Sequence, residues 1–319
     1  MKQFTKWFGK LLLLALIVAM ADFGVGKIDS FIRGRDNDVN LDYLTRITSG
    51  HEDILIIGSS IASHHYIPAQ IQDSLGLTCY NAGLDGAFFV FQNCAINYLL
   101  ENNQPKYILW EIGEDCLSDN IPKSREYQKM NLLYPYYSNE YIHHAVDSRD
   151  CWQKYRMLSK MYCANSNMIH DVLSVIDFIR NRKPTKQIGR EKKLGYVPLE
   201  NNGYDYPAIE CDSAGEYVNP EKLEMLRNTI IACKKHDVQL IFTSSPRHYD
   251  ADLLSSLQSV ALRRFAEEEG IPYIDFYNFE SISDNNTYFK DCDHLNARGA
   301  EAYMEVFIPE IKKIVAPSE

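Results

Sequence analysis

Asp53-Ile54-Leu55-Ile56-Ile57-Gly58-Ser59-Ser60 is the stretch on which the fold of this chain turns. Four consecutive aliphatic residues leave no polar position on either alternating face, so the strand they form is covered on both sides, as strands inside parallel sheets are. Gly58 ends the run, and two serines stand where such a strand hands over to a helix. Four further strand candidates follow at Thr78–Tyr80, Tyr107–Ile112, Val238–Thr243 and Pro272–Asp275. Among them lie helical patterns at Ala87–Asn102, Pro220–His236, Ala251–Glu269 and Ala297–Val315, with Pro220 at a first-turn position where its missing N–H costs nothing. Strands alternating with helices build parallel βαβ units. The expected class is therefore α/β: a three-layer α/β/α sandwich around a mainly parallel five-stranded sheet, occupying residues 51–319. Ser118–Asn219 breaks the rhythm. It is rich in Tyr, Asn and charge, has a helical pattern at Val172–Arg182, and reads as an insertion of about 118–219 over the strand ends.

The first 26 residues are of another kind. Lys2, Lys6 and Lys10 precede the uncharged run Leu11–Ala21, which is apolar on every side and so belongs to a membrane. Two readings compete: an anchor crossing over Thr5–Val25 with Trp7 and Phe8 at the headgroups, or a signal cleaved after Ala19-Met20-Ala21 and a secreted product. The anchor is preferred. The lysines then stay inside and the rest of the chain goes out, with residues 27–50 as a short juxtamembrane helix and linker.

Composition excludes other classes. A net charge of -10 and a pI near 5.4 leave no clustered cations for a phosphate backbone, so nucleic acid is not a partner. Eight cysteines include no CxxC pair and no His-rich spacing, so neither a metal nor a cofactor is expected. Their disulfide pairing, if any, is undetermined by sequence.

Four short constellations carry chemistry. Gly58-Ser59-Ser60 presents a hydroxyl at the carboxyl edge of the sheet, with its amide near the positive end of the next helix. Asp291-Cys292-Asp293-His294-Leu295-Asn296 places an acid and an imidazole three residues apart, so that a carboxylate can hold the ring tautomer while the other nitrogen faces a serine. Asp291 is favoured over Asp293 because adjacent side chains diverge. Tyr80-Asn81-Ala82-Gly83-Leu84-Asp85-Gly86 follows a strand, and its glycines let backbone approach a ligand, Gly86 offering an N–H. Trp110-Glu111-Ile112-Gly113-Glu114-Asp115 ends another core strand.

In this order the four blocks resemble the layout of the SGNH/GDSL hydrolase superfamily: a Gly-x-Ser block, a glycine block, a Gly-x-Asn block and a terminal Asp-x-x-His. The resemblance covers Asp53 to about Val315 and implies a flavodoxin-like sheet order. By it Ser60 is the nucleophile, His294 the base and Asp291 its orienter, and the Ser60 and Gly86 amides hold the oxyanion. Ser59, His64, Asn81, Gly113 and Asp115 complete the candidate lining. The chain departs from the pattern at Ser59, often Asp in the family, and at Asp115, where the family has Asn. A carboxylate repels an oxyanion, and losing one donor is worth roughly 3 kcal/mol. His64 and His65 are the candidate substitutes.

The N-terminal anchor, the run Gly58-Ser59-Ser60-Ile61-Ala62-Ser63-His64-His65 and the turn Thr243-Ser244-Ser245-Pro246 are similar to the envelope branch of that superfamily, which serves teichoic-acid D-alanylation and alginate O-acetylation. The likeness implies a serine-dependent ester hydrolase or O-acyltransferase facing outside the cytoplasm. Its substrate would be an acyl ester of an envelope polysaccharide, and its partner a membrane-bound O-acyltransferase. A catalytically weak, membrane-tethered binding or scaffold subunit is the alternative, supported by Asp115. A secreted lipase is disfavoured because the insertion has no apolar lid.

Overall fold

A computed structural model describes residues 2–33, 43–118, 122–165, 193–200, 218–248 and 257–315. The chain divides into two compact units, residues 47–129 with 188–319, and residues 1–46 with 130–187. The expected insertion is thus shared: its stretch 130–187 groups with the N-terminal segment and its flanks with the sheet.

The first unit is built on five parallel strands, β1 (Ile54–Ile57), β2 (Cys79–Asn81), β3 (Tyr107–Glu111), β4 (Gln239–Ser244) and β5 (Tyr273–Asp275), in the order β2-β1-β3-β4-β5. All four residues of β1 are buried, as their uninterrupted apolar run requires. One sheet face, with Ile54, Ile56, Leu109, Ile241 and Ile274, forms a core with Tyr66, Ile71, Tyr303, Phe307 and Ile311 from the helices Pro68–Leu75 and Ala297–Val315 and the turn after Ser60–His65. The helices Phe89–Asn102 and Pro220–Lys235 cover the other. There the Trp110 ring of β3 stacks on Phe89 with centroids 5.7 Å apart and donates Nε1–H to Gln92 at 2.6 Å. Asn93 and Asn97 each donate to Thr229 Oγ1 at 2.7 Å, which joins those two helices. The layers are those of an α/β/α sandwich.

This strand order reverses direction between β1 and β3, and in doubly wound sheets the crevice beyond the carboxyl ends at that point receives the ligand. The loop after β2 is drawn toward it: the Ala82 amide donates to Ile56 O at 2.8 Å and the Leu84 amide to Gly58 O at 3.0 Å. Gly83 lies directly on the helix that carries Ser60. A Cβ there would overlap the Ser63 amide nitrogen and come within 2.8 Å of the Ala62 carbonyl carbon.

The expected strands are met within one or two residues. The expected helix over 251–269 is described from Leu257 to Glu269, and the pattern at Val172–Arg182 lies outside the described residues. The N-terminal helix runs from Lys2 to Arg33, well past the expected end of the anchor near residue 26. Nothing breaks it there: Gly24 and Gly26 are the only weak helix formers, and neither is paired with proline.

The second unit joins that helix to the short helices Glu140–Asp147, Gln153–Arg156 and Lys160–Asn165. The link is Asp22, whose carboxylate accepts from Ser159 Oγ at 2.6 Å and from the amides of Lys160 and Met161 at 2.9 Å each. It thereby caps the helix Lys160–Asn165, satisfying amides that have no partner inside it.

Gly83→Ala forces backbone apart where the β2 loop meets the serine helix. We expect a loss of about 1–3 kcal/mol in chemical denaturation, the range for overpacking a tight contact, with retention of wild-type stability contradicting the packing described.

Candidate active site

Strand β1 ends at Ile57, and the next position must be glycine: a Cβ on Gly58 would lie 2.6 Å from Ala62 Cβ and 2.9 Å from Glu111 Cβ. Ser59 then serves as the cap of the helix Ser60–His65, its Oγ accepting from the Ile61 amide at 3.4 Å. Ser60 is left as the first helical residue, with its hydroxyl free to face the sheet edge. His294 Nε2 lies 2.7 Å from Ser60 Oγ.

His294 is held from behind. Its Nδ1 is 2.8 and 3.0 Å from the two oxygens of Asp291, and Asp291 Oδ1 also accepts from the amides of Asp293 and His294 at 2.9 Å each. Burial pushes the Asp291 carboxyl up, but the hydrogen bonds and the nearby imidazole outweigh it and leave the group below its ordinary range. An ionised carboxylate can only accept, so Nδ1 carries the proton and Nε2 offers a lone pair to the Ser60 hydroxyl. Asp293, the rival orienter, faces the cavity instead.

His65, five residues after Ser60, fixes the segment bearing His294. Its Nε2 accepts the Leu295 amide at 2.8 Å and its Nδ1 donates to Ser245 Oγ at 2.8 Å. Ser245 Oγ donates to Glu111 Oε1 at 3.0 Å, and Arg247 Nη2 lies 3.2 Å from the same oxygen. The Glu111 and Arg247 side chains are 2% and 8% exposed, so this ion pair closes a buried polar network under the site. Tyr66 donates to the other Glu111 oxygen. Burial, and Glu111 beside it, hold the Tyr66 phenol well above its ordinary range, so it remains a donor.

A cavity of about 390 Å³ opens over Ser60 and His294. Gly86 lines it at φ 71°, along with Ser59, Gly113, Phe88, Gln128 and Tyr277. Among the described residues the amides of Ser60 and Gly86 donate to no protein acceptor, so both are available to an oxyanion. Asp115 lies in the one-turn helix Glu114–Leu117, and its side chain is outside the described residues.

Two expected lining residues are placed elsewhere. Asn81 is fully buried and structural: its amide donates to Ala62 O at 2.6 Å and Tyr66 O at 3.0 Å, and its oxygen accepts the Gly83 amide at 2.9 Å. These bonds satisfy the carbonyl end of the serine helix. His64 stands beside His294, ring centroids 5.5 Å apart, but donates Nδ1–H to Val197 O at 2.7 Å and does not line the cavity. Arg247, Gln128 and Tyr277 line the site without having been read from sequence, and Glu111 of the fourth constellation joins them.

Burial pushes the Cys94 and Cys233 thiols up to about 12, so neither is a thiolate near neutrality. None of the described cysteines forms a disulfide, and Cys211 is outside the described residues. Asp291, Cys292 and Asp293 are the one grouping of metal-ligating atoms within 4.8 Å among the described residues, and Asp291 is committed to His294.

No family model matches the chain, and none of the curated proteins is similar to it. Solved structures are. A proposed acylhydrolase of Bacteroides fragilis is 12% identical over 87% of this chain and 99% of its own, with a TM-score of 0.42. A GDSL-like lipase of Bacteroides thetaiotaomicron is 10% identical over 85% of this chain and 99% of its own, with a TM-score of 0.39. An acetyl xylan esterase of Butyrivibrio proteoclasticus is 9% identical over 83% of this chain and 64% of its own, with a TM-score of 0.37.

Burial, reinforced by the Arg247 charge, holds the fully buried His65 well below its ordinary 6.5. The unfolded chain therefore binds the proton more readily, and the contribution of neutral His65 is complete above about pH 6.5 and is lost as pH falls toward the lowered folded value. Followed from pH 7 downward, the unfolding free energy falls by up to about 1.4 kcal/mol per pH unit on account of this residue. His65→Asn removes that increment. An unchanged slope in the variant would show that His65 does not titrate as described.

Proposed function

We propose that this chain is a serine-dependent acyl-ester hydrolase or O-acyltransferase that acts on a cell-envelope polysaccharide. The observation behind the chemistry is the relay in which His294 bridges Ser60 Oγ at 2.7 Å and Asp291 at 2.8 Å. Ser60 Oγ attacks the ester carbonyl as its proton passes to His294 Nε2, and Asp291 stabilises the resulting imidazolium. The tetrahedral oxyanion is met by the Ser60 and Gly86 amides. Collapse breaks the ester C–O bond, the alcohol leaves with the proton from His294, and an acyl group remains on Ser60. Water, or a sugar hydroxyl, gives its proton to His294 and attacks that acyl carbon, returning free Ser60 with a carboxylic acid or a new ester.

The polysaccharide reading is supported by the resemblance of the sequence blocks to the envelope branch and by the open, mixed lining. Phe88 and Tyr277 stand in the lining as aromatic contacts for a sugar, with Arg125 and Gln128 as polar ones. Anchoring is supported by the stretch Gln3–Ser30, with a mean hydropathy of 2.1 in its most apolar window and none of that window buried. In this reading the helix is retained, the site faces outside the cytoplasm, and a membrane-bound O-acyltransferase supplies or accepts the acyl group.

The test is turnover of p-nitrophenyl acetate by the full chain in detergent. Ser60→Ala, His294→Ala and Asp291→Asn each lower kcat by at least about 10³-fold, and pairs of these substitutions cost no more than the worst single one because the three act as a unit. Turnover that survives Ser60→Ala would overturn the reading. With wild-type turnover in hand, an acetylated glycan oligomer formed from the same acyl donor would favour transfer over hydrolysis.

A further inference from the structure

The N-terminal helix changes character at Asp22. From Gln3 to Ala21 its side chains are exposed, Trp7 at 69% and Leu14 at 57%, whereas Asp22 is bonded to Ser159, Lys160 and Met161. At Gly26 the two backbones approach so closely that a Cβ would stand 2.7 Å from Lys160 Cβ. The uncharged run Leu11–Ala21 ends directly before Asp22, which is the first charged residue after it. On the anchor reading, the membrane surface falls near Asp22, where the helix meets the segment just before Lys160.

That segment presents large apolar side chains to the outside. Trp152 is 63% exposed, Tyr155 57% and Leu158 78%, and the Trp152 and Tyr155 ring centroids are 6.0 Å apart. Leu158 adjoins Ser159, the residue whose hydroxyl binds Asp22, so it lies about 3.8 Å along the chain from the seam. Cations accompany them: Lys154 sits 5.1 Å over the Tyr155 ring, and Lys160 is also exposed. Aromatic rings with a protruding leucine and flanking lysines are the composition of the bilayer interface, where ring faces meet acyl chains and ammonium groups meet lipid phosphates. In water the same residues would be an unfavourable apolar patch.

We propose that Trp152, Tyr155 and Leu158 form a second membrane contact, seated at headgroup depth beside the point where the N-terminal helix leaves the bilayer. The proposal rests on the anchor reading above. It makes the unit containing residues 130–165 a membrane-resting element fixed to the helix by Asp22, so the lipid surface continues from the helix onto this face.

The test uses the chain's three tryptophans, Trp7, Trp110 and Trp152. Full-length Trp7→Phe is reconstituted into phosphatidylethanolamine–phosphatidylglycerol vesicles containing lipids brominated near the headgroup or near the bilayer centre. The same measurement on Trp7→Phe/Trp152→Phe gives the contribution of Trp110, which is fully buried in the core, and the difference isolates Trp152. The expected result is loss of Trp152 emission with shallow bromines and less loss with deep ones, the shallow loss being reduced by Leu158→Glu. Unquenched Trp152 in protein that still floats with the vesicles overturns the proposal, including the case in which a second protein copy covers the face. Protein that fails to float overturns the anchor reading, and the proposal with it.

Discussion

The hydrogen bond donated by the Leu295 amide to His65 Nε2, 2.8 Å long, is the constraint on which the site depends. Ser60 and His294 come from opposite ends of the chain and must meet within 2.7 Å for a proton to pass. His65 belongs to the same short helix as Ser60, and Leu295 follows His294 directly, so this bond sets the spacing with little chain between to relax. The second nitrogen of His65 passes the constraint inward, through Ser245 to Glu111 and Arg247 at the ends of β3 and β4. The nucleophile and its base are therefore referred to the sheet itself. Buried networks of this kind hold geometry only when every member is satisfied, and each contact named here has its partner.

Sheet order explains why the parts converge. With β1 and β3 adjacent and their connections leaving on opposite faces, the residues that follow each strand crowd the same crevice. Ser60 comes from the end of β1, Gly86 from the loop after β2, Gly113 from the end of β3 and Arg247 from the end of β4. Asn81 contributes by tying the carbonyls of Ala62 and Tyr66 to the β2 loop, which keeps the Ser60 helix against Gly83.

Some of this was legible in the sequence for definite reasons. The uninterrupted apolar run Ile54–Ile57, closed by Gly58, suits a strand buried on both faces, and Asp291 with His294 lies at a spacing where a tight turn brings side chains together. The ion pair of Glu111 and Arg247 was not legible, because its members lie 136 residues apart and nothing local to either position points to the other. Asn81 was read as lining the cavity because Asn beside glycine after a strand fits both a ligand contact and an internal cap, and only the neighbouring carbonyls decide. In the sequence Asp22 shows only as the first charge after the uncharged run Leu11–Ala21. That it also caps a helix some 138 residues later follows from tertiary contact alone.

The most direct test of the site as described is reaction of the full chain with a fluorophosphonate, followed by peptide mass spectrometry. A phosphonyl adduct confined to Ser60, abolished in His294→Ala while that variant keeps wild-type thermal stability, is the result this geometry predicts. An adduct on another residue, or labelling of Ser60 that is indifferent to His294, would show that the 2.7 Å contact between them does not activate the serine.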